Sequence, residues 1–143
     1  MGDFWIYRIC IIIGNFKKDK CFMKNLILVF IGGGLGSILR FLLNSIPILN
    51  IHKYPITTSF SNVIGCLILG FLMGHLVKSN QIESTSSILI GTGFCGGLTT
   101  FSTFTYENID MLKNGGFIES ISYITLTIVL CFISMYLGLQ LAK

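Results

Sequence analysis

Residues 90–108 read I-G-T-G-F-C-G-G-L-T-T-F-S-T-F-T-Y-E-N, and this stretch decides the fold. Four glycines, at 91, 93, 96 and 97, crowd into seven positions. Each interior glycine weakens a helix by about 1 kcal/mol relative to alanine, so the cluster predicts a break in a helix. Roughly ten residues on either side of the break would each cross about half of a ~30 Å hydrocarbon core. The alternative is a glycine kink whose hydroxyls bond back to their own helix.

The composition predicts an integral membrane protein of one domain. Of its 143 residues, 52% are hydrophobic and 11% are charged, and that charged fraction is less than half of what a soluble domain carries. The net charge of +4 does not come from a basic face interleaved with aromatics, so nucleic-acid binding is not expected. The five cysteines show no C-x-x-C spacing and are interpreted as structural.

Hydropathy predicts an all-α fold with four transmembrane helices and a broken third helix. The predicted spans cover about 24–44, 57–77, 86–111 and 117–142. Together they form one four-span domain over residues 23–143, preceded by an extension over residues 1–22. That extension is either an interfacial anchor or the product of a mis-called start, and the hydrophobic run that opens at Met23 favours the second interpretation.

The first span carries small residues and a charge on one face. Gly32, Gly36 and Arg40 recur at i+4, so they share that face, and the glycines allow close helix contact. Arg40 has two interpretations. Its side chain either snorkels to the nearby interface or attracts anions as part of a vestibule.

Hydrogen-bond donors recur in the later spans. The amide of Asn62 in the second span can donate to an anion or make a structural bond between helices. In the fourth span one polar stripe should face protein or a pore, unless its hydroxyls bond to their own helix. That stripe consists of Ser120, Tyr123, Thr127, Cys131 and Ser134.

The second half of the third span carries aromatic rings, hydroxyls and one carboxylate. Phe101 and Phe104 share a face and serve either a path or packing. Ser102 and Thr103 add hydroxyl donors beside them. Glu107, near the end of this half, either pairs with a hydroxyl or reaches water.

The charges that set membrane orientation are balanced when counted from Met23. Three lie on the side of the termini and three on the other, namely Lys24, Lys78 and Lys143 against Arg40, Lys53 and Lys113. Such a chain is expected to insert in both orientations. The extension would add Arg8, Lys17, Lys18 and Lys20 and bias the chain towards termini inside, making seven against three.

Three motifs together resemble the Fluc (CrcB) fluoride-channel family. They are G-G-G-L-G-S at 32–37 with Arg40, Asn62 with Gly65, and G-F-C-G-G-L-T-T-F-S-T-F at 93–104. The likeness runs from about Met23 to the C-terminus, and the third motif is the specific one. The extension departs from the family pattern.

This resemblance implies a four-helix subunit that forms an antiparallel, dual-topology homodimer with two fluoride pores. It implies a structural Na⁺ at the dimer centre, held by backbone carbonyls of Gly96 and Thr99. It places Phe101, Phe104 and Asn62 along the pores. Tyr123 and Thr127 match the polar track of the fourth helix less securely, because that motif is loose.

The expected function is passive, fluoride-selective export across the cell membrane by a multi-pass channel. Fluoride is small and strongly hydrated, so a selective pore must replace its lost water with hydrogen-bond donors. A small multidrug exporter would need an acidic residue in its first span, and residues 24–44 contain none. An interaction protein would not need the break, the stripe and Asn62 together. Without a catalytic triad, a deep carboxylate pair or a metal cluster, an enzyme is not expected.

Overall fold

The computed structural model describes residues 20–46, 50–51, 54–79 and 84–142. Most of the predicted extension, together with Lys53 and Lys143 of the charge count, lies outside these residues. The chain forms α1 (Lys20–Asn44), a short antiparallel hairpin of β1 (Asn50–Ile51) and β2 (Tyr54–Pro55), and α2 (Ile56–Lys78). The broken span follows as α3 (Ser87–Cys95), α4 (Gly96–Leu98) and α5 (Phe101–Lys113), and α6 (Phe117–Leu141) ends the fold.

Four helical segments of the described chain are long and apolar enough to cross a membrane. They cover Phe22–Asn44, Ile56–Lys78, Ser87–Lys113 and Phe117–Leu141. The prediction of an all-helical protein with four spans and an interrupted third span is therefore confirmed. The first helix begins at Lys20, so residues 20–22, which were predicted to belong to the extension, are part of α1.

The break lies after the glycine cluster and not within it. Residues Ser87–Cys95 form a π-helix, and Gly96–Leu98 add a short α-helical segment. Between Ser87 and Lys113, only Thr99 and Thr100 leave helical geometry. The expectation that the glycines themselves mark the break is wrong in this detail. Two of them, Gly93 and Gly97, instead allow the close approach of another helix, α1.

That approach brings α1 against α3 and α4. A Cβ added at Gly32 would overlap the carbonyl oxygen of Leu89, and one added at Gly36 would overlap that of Phe94. Lys24 contacts Thr85 near one end of this pair. Because Arg40 contacts Thr99 at the other end, the two helices run in the same direction.

The second and fourth spans form another parallel pair, α2 with α6. Gly70 packs against the Met135 carbonyl, and Gly138 packs against that of Leu67, so neither glycine has room for a Cβ. After the break, α5 packs on this pair. A turn through Gly115, whose φ of 80° favours glycine, then returns the chain into α6.

The interior of the described chain is more polar than its surface. Eight polar side chains are buried, against five hydrophobic ones, while large apolar side chains on all four spans are exposed. In water this pattern would be unfavourable. In lipid it is expected, because the hydrocarbon solvates the apolar surface and buried hydroxyls must find partners inside the bundle.

Candidate functional site

The centre of the candidate site is the two-residue break in the third span. Thr99 (φ −78°, ψ 152°) and Thr100 (φ −150°, ψ 119°) are both extended. The Thr99 N–H still donates to the Cys95 carbonyl at 2.9 Å, but the last carbonyls of the half-helix before the break have no partner in its ladder. The Thr100 hydroxyl caps α5 by accepting the backbone N–H of Thr103 at 3.3 Å.

Asn62 on α2 pairs with the backbone of the break. Its Oδ1 accepts the Thr100 N–H at 2.7 Å, and its Nδ2 donates to the Thr100 carbonyl at 3.2 Å. One side-chain amide thus satisfies both backbone groups of a buried residue. The predicted anion donor therefore has a structural bond as well, and one of its two N–H groups remains for a further acceptor.

Arg40 on α1 also binds the break. Its Nη1 donates to the Thr99 carbonyl at 3.2 Å, and the side chain is half-buried. One helical turn earlier, the Ser37 hydroxyl donates to the Gly97 carbonyl at 3.4 Å. The two interpretations made from the sequence, snorkelling to the interface and attraction of anions, did not include this contact. Here the guanidinium donates a hydrogen bond to a carbonyl at the end of the half-helix.

Gly96 and Thr99, the predicted Na⁺ ligands, lie together at this half-helix end. Gly96 is exposed, and a Cβ added to it would find no atom within 4 Å, so this side of the chain is open. The Thr99 hydroxyl turns back to the Cys95 carbonyl at 2.9 Å. The Thr99 carbonyl has a second lone pair besides the one that Arg40 uses. Backbone carbonyls are hard oxygen ligands, which suit an alkali ion.

The two predicted phenylalanines occupy different environments. Phe101 is 78% exposed, whereas Phe104 is 8% exposed. Their ring centroids lie 5.9 Å apart, and the Phe104 ring lies 5.2 Å from that of Tyr123. Phe104 therefore connects the break to the polar interior, and Phe101 projects away from the chain.

Glu107, one turn after Phe104 on α5, is the centre of a polar cluster. Its Oε1 accepts the Thr58 hydroxyl at 2.6 Å, and its Oε2 accepts the Tyr123 hydroxyl at 2.9 Å. The carboxylate thus pairs with hydroxyls from two other spans. Glu107 is also an acidic group inside the third span. A small multidrug exporter was not expected because the first span contains no acidic residue, and that reason does not apply to the third span.

Further hydroxyls continue this cluster along α6. Ser59 and Thr127 share a hydrogen bond of 2.6 Å, and Ser120 donates to the Asn108 side chain at 3.0 Å. We call the set the hydroxyl track, and its members are Thr58, Ser59, Ser120, Tyr123 and Thr127. Within the described residues, every buried side-chain nitrogen or oxygen has a partner, so the track is fully hydrogen-bonded.

Ser102 and Thr103 lie at the start of α5, beside the cap. The Ser102 hydroxyl is 3.2 Å from that of Thr100, and Thr103 accepts the Thr100 hydroxyl at 3.1 Å. Both side chains therefore contact the capping hydroxyl. The structure does not bring them into the hydroxyl track.

A groove of about 490 Å³ runs beside the break. It brings together four of the predicted pathway residues with both predicted Na⁺ ligands. They are Asn62, Phe101, Phe104, Thr127, Gly96 and Thr99. Tyr123 instead lines a second cavity of about 480 Å³, with Ser59 and Ser122. Arg40 does not line the groove.

Thr58 and Ser59 were missed in the sequence analysis. Thr58 precedes Asn62 by four residues, so it continues the same helical stripe by one turn. The hydroxyl-rich opening of the second span, with Thr57, Thr58, Ser59 and Ser61, was the available signal. Thr58 and Ser61 are almost completely buried, at 2% and 0% exposure.

Comparison with known proteins agrees with these features. Residues 27–139 match the family model described as CrcB-like protein, Camphor Resistance (CrcB). The chain is 38% identical over 122 residues to a protein of Gloeothece citriformis, and 37% identical over 126 residues to one of Flavobacterium psychrophilum. A Pyrococcus abyssi protein is 37% identical over 122 residues.

Each alignment covers 85% of this chain and 98% of the relative. All three relatives carry the name fluoride-specific ion channel FluC. A model match over most of the chain, with relatives above 30% identity along nearly their whole length, shows common descent. The chain therefore belongs to the CrcB-like (camphor resistance) protein family.

Proposed function

We propose that this protein is a fluoride-selective channel that lowers cytoplasmic fluoride by passive export across the cell membrane. Its relatives carry the name fluoride-specific ion channel FluC. The observation that carries the proposal is the hydroxyl track, a row of buried and half-buried donors inside a four-span bundle. Such a row can exchange partners with a small anion that has lost its water.

The pathway combines donors with aromatic edges. Asn62 retains one N–H, Tyr123 and Thr127 contribute hydroxyls, and the positive edges of Phe101 and Phe104 can face an anion. Glu107 accepts hydroxyls from both sides and so orients them. Ser102 and Thr103 contribute hydroxyls to the pathway beside the break, where both contact the Thr100 hydroxyl that caps α5.

The functional unit that we propose is an antiparallel homodimer, or a pair with a paralogous subunit if the orientation is fixed. Four helices bury few large side chains within one chain and leave the groove open on one side. Phe101, with 78% of its surface exposed, is left largely uncovered by the described part of its own chain. The balanced charges counted from Met23 support insertion in both orientations.

A Na⁺ ion at the centre of this dimer is part of the proposal, with carbonyls of Gly96 and Thr99 from both subunits as ligands. Four carbonyl dipoles that converge in a dry site repel one another unless a cation lies between them. Broken membrane helices coordinate sodium in this way. Arg40 remains the vestibule candidate, held close to the same carbonyls.

The Gly96→Val variant tests the sodium site. A Cβ added at Gly96 meets no atom of the described residues within 4 Å, so we expect the added side chain to act mainly on the contact with a second copy. We expect helix content and monomer folding to be unchanged, while the dimer dissociates even in sodium. Replacing sodium with a large organic cation should then cause no further dissociation of this variant, whereas it should weaken the wild-type dimer. A dimer as stable as the wild type, with the same sodium response, contradicts this placement.

Fluoride efflux from liposomes, followed with a fluoride electrode, tests the transport proposal. A passive channel carries net charge, so efflux should begin only when valinomycin lets potassium balance that charge. Chloride flux under the same conditions should be far smaller. Efflux without valinomycin that follows an imposed pH gradient would instead identify a proton-coupled carrier with Glu107 as the coupling acid. Chloride flux equal to that of fluoride would contradict selectivity.

A further inference from the structure

Three thiols line the groove beside the break, and neither the fold nor the proposed pathway uses them. Cys66 lies on α2, Cys95 on α3 and Cys131 on α6, and all three are free. Cys66 and Cys131 are half-buried, so both can be reached from the groove, whereas Cys95 is 2% exposed. Two of the three thiols are therefore accessible from one space.

The packing of α2 on α6 brings those two thiols together. Cys66 lies one turn before Gly70, and Cys131 lies one turn before Met135, and the backbones of the two helices are in close contact at Gly70 and Met135. The helices run in the same direction, so the equivalent turns face each other. Cys66 and Cys131 thus lie on facing turns of this seam, line the same groove and are close enough to influence each other electrostatically.

The chemistry of the pair restricts the ligand. Within the described residues, no group of three or more His, Cys, Asp or Glu side chains could hold a metal ion. Zinc, which takes four ligands in structural sites, is therefore disfavoured. Two thiolates suit a soft ion that accepts linear coordination by sulfur.

The net charge of the metal–thiolate complex restricts the choice of ion further. A monovalent ion held by two thiolates leaves a net negative complex in apolar surroundings, which is unfavourable. A divalent ion leaves a neutral complex. We propose that Cys66 and Cys131 form a two-thiol site for a soft divalent cation such as Hg²⁺. The ion forms two metal–sulfur bonds, both S–H bonds break, and two protons leave to solvent.

Occupation of this site should close the fluoride path, a consequence that rests on the proposed function. Asn62 lies one turn from Cys66 on α2, and Thr127 lies one turn from Cys131 on α6. All four line the same groove. An ion bridging the thiols would therefore fill the groove beside two pathway residues and tie α2 to α6.

The binding test uses the full chain with Cys10 and Cys21 replaced by Ser, reduced and then exposed to HgCl₂. A bridged ion should resist a monothiol competitor about a hundredfold or more better than an ion on one thiol. We expect one retained mercury per chain by intact mass, two sulfur neighbours by X-ray absorption, and two released protons. Cys66→Ser and Cys131→Ser should each lose this retention, while the matched control Cys95→Ser keeps it.

Mercury retention as strong as that of the background chain in either Cys66→Ser or Cys131→Ser overturns the site, as does a single sulfur neighbour or equally tight binding of Zn²⁺. The flux test is separate. Mercury should block fluoride efflux from liposomes in the background chain and in Cys95→Ser, and leave Cys131→Ser open. Bridged mercury with undiminished efflux overturns the blocking role. A chain that binds mercury but never transports fluoride contradicts the proposed function and leaves the metal site standing.

Discussion

Replacing Asn62 with Ala tests whether this amide holds the break in the third span. The change removes both hydrogen bonds between the side chain and Thr100, at 2.7 and 3.2 Å. Thr100 is only 8% exposed, so water cannot easily replace the lost partners. The backbone N–H and C=O of an extended residue would then be left without partners inside the membrane.

The size of the expected effect follows from the two hydrogen bonds between Asn62 and Thr100 that the substitution removes. Interhelical hydrogen bonds in membrane proteins contribute about 0.6 kcal/mol on average and about 1.7 at most. Two such bonds therefore stabilise the break by about 1–3 kcal/mol. That free energy corresponds to an approximately 5- to 150-fold change in a local opening equilibrium.

Hydrogen–deuterium exchange at the Thr100 amide measures this opening directly. We expect exchange in Asn62→Ala to be faster than in the wild type by about 5- to 150-fold. Asn108→Ala is the matched control, because it removes a buried amide that bonds to Phe104 and Ser120 and does not contact the break. It should leave the Thr100 amide protected. Unchanged exchange in Asn62→Ala, with fluoride efflux lost, would refute the structural role and leave Asn62 as an anion donor alone.

Three further changes separate packing from transport. Gly36→Ala should lower the free energy of unfolding by about 1–3 kcal/mol, because its Cβ would overlap backbone of the third span. Gly34→Ala, which meets no atom within 4 Å, should not, and an equal loss in both variants would contradict the close approach. Tyr123→Phe removes the hydroxyl that binds Glu107 and should slow fluoride efflux by about tenfold, equivalent to one hydrogen bond of about 1.4 kcal/mol. Unchanged efflux would exclude this hydroxyl from the path. Phe101→Ile keeps apolar bulk without a ring edge, so efflux should fall while helix content is maintained, and full transport by this variant would return the ring to a packing role.

The sequence alone was sufficient for the membrane class, the four spans and the existence of a broken third helix. These features depend on local composition and on the 3.6-residue period, which any single segment carries. The small residues of the first span were likewise recognisable as a contact surface from their spacing. The position of the break did not follow from the sequence, because glycine permits several helical forms. The cluster lies in a π-helix and a short α-helical segment, and the chain leaves helical geometry only after them, at Thr99 and Thr100.

Only the tertiary structure decided which groups meet. Asn62 and Thr100 are 38 residues apart, Thr58 and Glu107 are 49 apart, and Arg40 and Thr99 are 59 apart. Each pairing depends on the rotation and register of two helices relative to each other. A helical period shows which residues share a face, but it does not show which neighbour that face meets. The rotation is set by backbone contacts at glycines of different spans, so the partners of the polar groups are a property of the assembled bundle.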